Sequence, residues 1–126
     1  MWVRDFRSLK VWQRAHELTL DIYRVTGSFP RSEFYGLTSQ MRRVAASIPT
    51  NIAEGAGRSG RTDYARFLSF SLASANELEY HLLLAKDLQI LETFDHERLT
   101  EADIEVRKML LALRSRVKPA GTSRDS

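Results

Sequence analysis

Between Tyr64 and Ala85 the chain reads YARFLSFSLASANELEYHLLLA. Tyr64, Leu68, Ser71, Ala75, Leu78, Leu82 and Ala85 step by 4, 3, 4, 3, 4 and 3 residues, which places them on one face of an α-helix. A strand would alternate with a period of two, and this stretch does not. Phe67, Leu84, Leu88 and Leu91 widen the apolar surface, so the helix is expected to be buried on more than one side. Thr62 is the expected N-cap, with Asp63 at the positive end of the helix.

The neighbouring segments repeat the pattern. Val11, Ala15, Leu18, Ile22 and Val25 step 4, 3, 4 and 3, with Trp12, Thr19 and Tyr23 as a second seam. That helix is expected to end at Gly27 as a C′ glycine, with Pro30 beyond it. A second helix is expected from about Ser32 or Phe34 to Glu54, closed by Gly55, with Leu37, Met41, Val44, Ile48 and Ile52 inward. Pro49 falls inside it and removes one backbone donor, which predicts a kink. Residues 55–61, GAGRSGR, form the expected loop before the third helix. After a link around Thr93 and Asp95, Leu99, Ala102, Val106, Met109 and Leu113 mark the fourth. Short connections make successive helices antiparallel, so the expected fold is an all-α, up-and-down four-helix bundle over residues 1–117 with a flexible tail at 118–126. The apolar faces of the first and third helices exceed what one bundle interior uses. Trp12, Tyr23 or Phe70 are therefore left for neighbours, which predicts a homo-oligomer.

Composition narrows the chemistry. The 126 residues include no cysteine, which excludes disulfides, a thiol nucleophile, cysteine-ligated zinc and iron–sulfur clusters. No uncharged run exceeds ten residues (Val44–Ala53 and Phe67–Asn76), so nothing is long enough to span a membrane. Charges at Arg4, Asp5 and Arg7 interrupt the apolar stretch a signal peptide needs, and a cytoplasmic protein is expected. Net charge is +3 but uneven: residues 1–66 hold 11 basic and 6 acidic side chains, residues 67–126 hold 8 and 10. A basic N-terminal half favours polyanions such as RNA or DNA.

Catalytic and cofactor signals are weak. Gly55, Gly57 and Gly60 spell G-x-G-x-x-G, but no strand precedes them, as a dinucleotide site requires. Arg58, Arg61 and the free amides opening the third helix are the remaining phosphate candidates there. His16, His81 and His96 each lack a Glu three residues earlier, and positions 20 and 100 are Leu and Thr, so neither a di-iron nor an H-E-x-x-H site is expected. His81 faintly echoes the Arg-x-x-x-x-His motif of helical HEPN ribonucleases, but Ala75 and Asn76 stand where the arginine is needed. The expectation is a protein without metal, cofactor or catalytic residues. On the second helix, Gln40, Arg43, Ser47, Asn51 and Glu54 form a polar stripe beside small Ala45, Ala46 and Ala53. With Trp12, the residues Gln40, Arg43, Ser47 and Asn51 are the candidate subunit interface.

The segment Leu37-Thr-Ser-Gln-Met-Arg-Arg-Val-Ala-Ala-Ser-Ile-Pro-Thr-Asn-Ile-Ala-Glu-Gly55 resembles the bacterial four helix bundle protein family, also called 23S rRNA intervening-sequence proteins. The opening Phe6-Arg-Ser-Leu-Lys-Val-Trp-Gln-Arg-Ala15 is similar to that family's start, and the likeness covers about residues 5–115. The chain departs from the family at Ala73-Ser74-Ala75, where members often carry Gly-Ser. The resemblance implies an antiparallel bundle assembled as a homopentamer, with no catalytic activity attached. The related accessory variability determinants of diversity-generating retroelements form basic pentamers that bind nucleic acid and a reverse transcriptase. The expected function is therefore non-enzymatic binding of RNA or DNA through phosphate contacts from Arg42, Arg43, Arg58 and Arg61. The alternative is a protein-binding scaffold or accessory subunit without nucleic-acid binding. Few aromatics neighbour these arginines along the chain, which argues against a base-stacking platform.

Overall fold

The computed structural model describes residues 5–118, and the expected tail beyond Lys118 lies outside them. Among the described residues there are four α-helices and no strand: α1 (Lys10–Thr26), α2 (Ser39–Ala56), α3 (Arg61–Asp87) and α4 (Thr93–Val117). Each helix packs on its neighbour in sequence, and α1 closes the ring against α4. The connections are short, so the bundle runs up, down, up, down as expected. All seven residues of the α3 stripe are buried. They meet Val11, Ala15, Leu18 and Ile22 of α1 and Met41, Ala45, Ile48 and Ile52 of α2 in one core.

Several boundaries differ from the sequence reading. Gly27 caps α1 with right-handed backbone (φ −62°), so it is not a left-handed C′ glycine. The last carbonyls of α1 are closed by the backbone that follows, Gly27 N donating to Tyr23 O and Arg24 O (both 3.2 Å), Ser28 N to Val25 O (3.3 Å) and Phe29 N to Thr26 O (3.1 Å), and Arg42 of α2 adds a side-chain bond to Tyr23 O at 3.2 Å. The second helix is preceded by a 3-10 turn (Arg31–Glu33) and a π turn (Phe34–Thr38), with non-helical backbone at Gly36. The Glu33 carboxylate accepts from Leu37 N at 3.4 Å there.

α2 continues through Gly55 and is closed by Gly57. A Cβ on Gly55 would lie 2.9 Å from Tyr64 Cδ1 and 3.2 Å from Tyr64 O, so glycine is needed there for close approach of α3 rather than to stop the helix. Gly60, not Thr62, is the N-cap of α3, while Asp63 does lie in its first turn. The turn after α3 passes through Gln89 at φ 64°, and Ile90 N and Leu91 N both return to Ala85 O. α4 begins at Thr93 after an extended N-cap at Glu92, inside the segment expected from sequence to be a link.

Pro49 does not break α2, which is continuous from Ser39 to Ala56. Its missing N–H would have served Ala45 O. The Thr19 hydroxyl of α1 lies 3.1 Å from it and shares its single hydrogen between Ala45 O and the nearer Ala15 O, at 2.8 Å. The α2–α3 seam is tied by Ser71 Oγ donating to Ile48 O (2.8 Å) and Ser47 Oγ to Ser74 Oγ (2.6 Å). Between α1 and α4, Arg98 bridges Asp21 (2.9 Å) and its own-helix Asp95 (3.0 Å).

Candidate nucleic-acid interface

The four candidate arginines separate into two pairs at opposite ends of α2. The thirteen residue steps of helix from Arg43 to Ala56 alone correspond to about 20 Å. At the far end, Arg58 pairs with Glu54 (3.1 Å) and Asp63 (3.8 Å) and lies 4.6 Å from the Phe67 ring centroid. Arg61 donates to the carbonyls of Val117 and Arg116, both at 3.1 Å, capping the C-terminus of α4. Arg58 thus has its charge offset by carboxylates, and Arg61 serves a structural role.

At the head of α2, Arg42 turns inward. Its Nε donates to Thr26 Oγ1 at 2.9 Å, and its guanidinium lies 4.8 Å from the Tyr23 ring centroid. Arg43 turns outward, is exposed, and has no hydrogen bond or ion pair among the described residues. Between them opens a groove of about 610 Å³ lined by Tyr23, Phe34, Tyr35, Thr38, Arg42 and Arg43, among others. An adjoining hollow shares Phe34, Tyr35, Thr38 and Arg42 and adds Arg31. No carboxylate lines either one. The α1–α4 face contrasts with it, since Arg14 and Arg98 there meet Glu17, Asp21, Glu101 and Glu105.

Folding also overturns the expectation that aromatics lie away from these arginines. Tyr23 is under Arg42, Phe67 is under Arg58, and Phe34 and Tyr35 share the groove with Arg43. These contacts join residues distant in sequence or separated by a turn, so spacing along the chain does not show them.

Of the candidate interface residues, Trp12 lies apart from the α2 stripe of Gln40, Arg43, Ser47 and Asn51. Trp12 is half-buried between Phe6 (centroids 5.0 Å apart, edge-on) and His16 (4.9 Å, stacked), in a depression of the α1–α2 seam that includes Pro49 and Ala53. Ser47 faces α3 through Ser74, and Asn51 Nδ2 donates to Ser47 O at 2.8 Å. Gln40 and Arg43 are exposed, and with Val44, Ser47 and Glu77 they line a shallow hollow on the α2–α3 side.

His81 is buried on α3, with Nε2 4.0 Å from Glu77 and Nδ1 unpartnered among the described residues. No group of three or more His, Asp or Glu residues able to hold a metal occurs among the described residues. No helix among them is long and apolar enough to cross a membrane.

The sequence reading missed Asp103. Leu99, Asp103, Val106, Leu110, Leu113 and Val117 are the buried residues of α4 and step 4, 3, 4, 3 and 4, while Ala102 and Met109 are only half-buried. Asp103 is 0% exposed, and neither carboxylate oxygen has a hydrogen-bond partner among the described residues. Arg107, one turn on, is engaged with Asn76 (2.7 Å) and Glu79 (2.6 Å) of α3. Burial pushes the Asp103 carboxyl up to about 7; Arg107 opposes the shift and Glu79 adds to it. The 4-3 stepping through position 103 was the available signal, masked by an acidic residue in an apolar register.

These features define an antiparallel four-helix bundle with a carboxylate-free arginine groove at the head of α2. The sequence model of the 23S rRNA-intervening sequence protein family matches residues 7–112, and the chain belongs to that family. It is similar in fold to the crystal structure of a protein of unknown function from the S23 ribosomal protein family of Bacteroides thetaiotaomicron VPI-5482. That match has 24% identity and a TM-score of 0.77, and covers 83% of this chain and 95% of that one. No curated protein matches the sequence.

Proposed function

We propose that this chain is a non-enzymatic, cytoplasmic, homo-oligomeric bundle, a pentamer by family resemblance, that binds RNA or DNA through phosphate contacts. The groove at the head of α2 carries this reading, because its lining gathers Arg31, Arg42 and Arg43 without a carboxylate, and Arg43, which borders Glu77 only on its other side, has no side-chain hydrogen bond or ion pair among the described residues. Arg58 and Arg61 add positive potential at the other end, weakened at Arg58 by Glu54 and Asp63. Repetition around a ring multiplies a modest contact from each subunit.

The test is titration of the full chain with labelled RNA and duplex DNA at several salt concentrations. Log K is expected to fall linearly with log salt, by about 0.9 per phosphate contact on duplex DNA. Arg43→Ala is expected to weaken binding more than Arg58→Ala and Arg61→Ala combined. Absence of binding at low salt would refute the reading. Light scattering at micromolar concentration is expected to give a mass several times the 14.5 kDa of one chain; a monomer would remove the assembly.

A second reading, a scaffold for a protein such as a reverse transcriptase, is supported by the depression holding Phe6, Trp12, Tyr23, Pro49 and Ala53. Binding there would be nearly insensitive to salt.

A further inference from the structure

The most exposed large hydrophobic side chain among the described residues is Tyr35, at 92%, and Phe34 beside it is 50% exposed. Their rings meet edge to face, with centroids 5.0 Å apart at 85°. Both are carried on the π turn before α2, where Glu33 accepts from Leu37 N and buried Leu37 and Thr38 anchor the segment below. The turn therefore presents two aromatic rings from an anchored backbone, at the edge of the carboxylate-free groove that contains Arg43.

We infer that this groove takes an unpaired nucleobase against Tyr35 and Phe34 while Arg43 holds a neighbouring phosphate, so that the nucleic acid bound is single-stranded. The inference rests on the nucleic-acid reading above and deepens it. An aromatic ring offers every base a flat apolar surface, and an arginine alongside supplies the backbone contact, which is the chemistry of single-strand binding. A duplex keeps its base faces inside the stack and can present only phosphate and groove edges to Tyr35. Arg42 cannot be the flexible phosphate ligand, since it is fixed to Thr26 and Tyr23 O, and it contributes charge to the groove wall. Arg43 has no such commitment among the described residues. A single strand satisfies both parts of the groove, with anionic phosphate against the arginines and a stacked base against the rings.

The experiment compares an unstructured labelled 20-nucleotide strand with a duplex of equal length, using the full chain and its Tyr35→Ala, Tyr35→Trp and Arg43→Ala variants over a salt series. Tyr35 is exposed, so its replacement should leave the melting temperature unchanged, and that measurement is made alongside. Tyr35→Ala is expected to weaken single-strand binding by about 5- to 150-fold per stacked base. It should leave duplex binding and the salt slope as they were. Tyr35→Trp is expected to retain single-strand affinity. Arg43→Ala is expected to reduce the single-strand salt slope by about 0.7 for each phosphate that Arg43 neutralises. If strand and duplex bind equally and Tyr35→Ala changes neither, the stacking inference falls and phosphate binding stands. If neither nucleic acid binds at low salt, the nucleic-acid reading falls with it.

Discussion

The hydroxyl of Thr19 on α1 lies 3.1 Å from the carbonyl oxygen of Ala45 on α2, the carbonyl that Pro49 leaves without its intrahelical donor. Both groups are buried, Thr19 at 8% exposure and Ala45 at 0%. An unsatisfied buried carbonyl costs about 1–3 kcal/mol, and the Thr19 hydroxyl, whose one hydrogen is shared with Ala15 O at 2.8 Å, offsets part of it. The proline is thereby tolerated in mid-helix, and α1 is registered against α2.

Thr19→Val keeps the shape and removes the donor. It is expected to destabilise the bundle by about 1–2 kcal/mol in urea unfolding. In a Pro49→Ala background, where the backbone N–H is restored, the same substitution should cost markedly less. Equal costs in the two backgrounds would show that the Thr19 bond does not compensate for the proline.

Asp103 makes stability pH-dependent in a direction opposite to that of a salt-bridged acid. Its carboxyl is raised from 3.8 to about 7 in the folded bundle, so between those values the folded state holds a proton that the unfolded chain has released. The stabilisation is complete below pH 4 and is lost as pH rises through 7, for a total on the order of 4 kcal/mol. Subtracting the profile of Asp103→Asn from that of the native chain isolates this contribution. Asp103→Leu keeps the branched side-chain skeleton, with methyls bulkier than the carboxylate oxygens, and is expected to be more stable than the native chain at pH 8. A flat difference profile would mean that Asp103 titrates alike in the folded and unfolded chain, so that burial does not raise it.

Two glycines of the same G-x-G-x-x-G segment should respond differently to alanine. Helix propensity alone favours Gly55→Ala by up to about 1 kcal/mol. The new methyl would meet Tyr64 Cδ1 at 2.9 Å and the Tyr64 carbonyl at 3.2 Å, and overpacking typically costs about 1–3 kcal/mol. Steric cost dominates, so a lower melting temperature is expected. Gly60→Ala meets nothing within 4 Å at φ −107° and should be nearly neutral.

Gln89→Gly should stabilise. Gln89 occupies φ 64° in the turn leaving α3, where a Cβ costs about 1–2 kcal/mol that glycine avoids. Part of that gain is returned through the greater freedom of glycine in the unfolded chain. A net rise of about 2–5 °C in melting temperature is expected; a fall would mean that the glutamine side chain contributes more than its backbone strain costs.

The helices were legible from the residue order because their signal is local. A 4-3 apolar spacing such as Tyr64 to Ala85 identifies a buried face whatever lies opposite, and the absence of cysteine removes whole classes of chemistry. The candidate site was half legible: Arg42 and Arg43 stood out as basic residues on α2, but nothing in their order shows that one is bound to Thr26 while the other has no side-chain partner among the described residues. Asp103 was hidden for a related reason, since an acidic residue in a core register resembles a surface residue until α3 is packed over it. Gly55 could be read as a helix stop because glycine often is one; only Tyr64 approaching across the α2–α3 seam makes it a packing residue. Periodicity depends on residues three and four apart. Hydrogen-bond partners, close approaches and shared grooves depend on which residues other helices bring within a few ångströms, and only the packed bundle settles that.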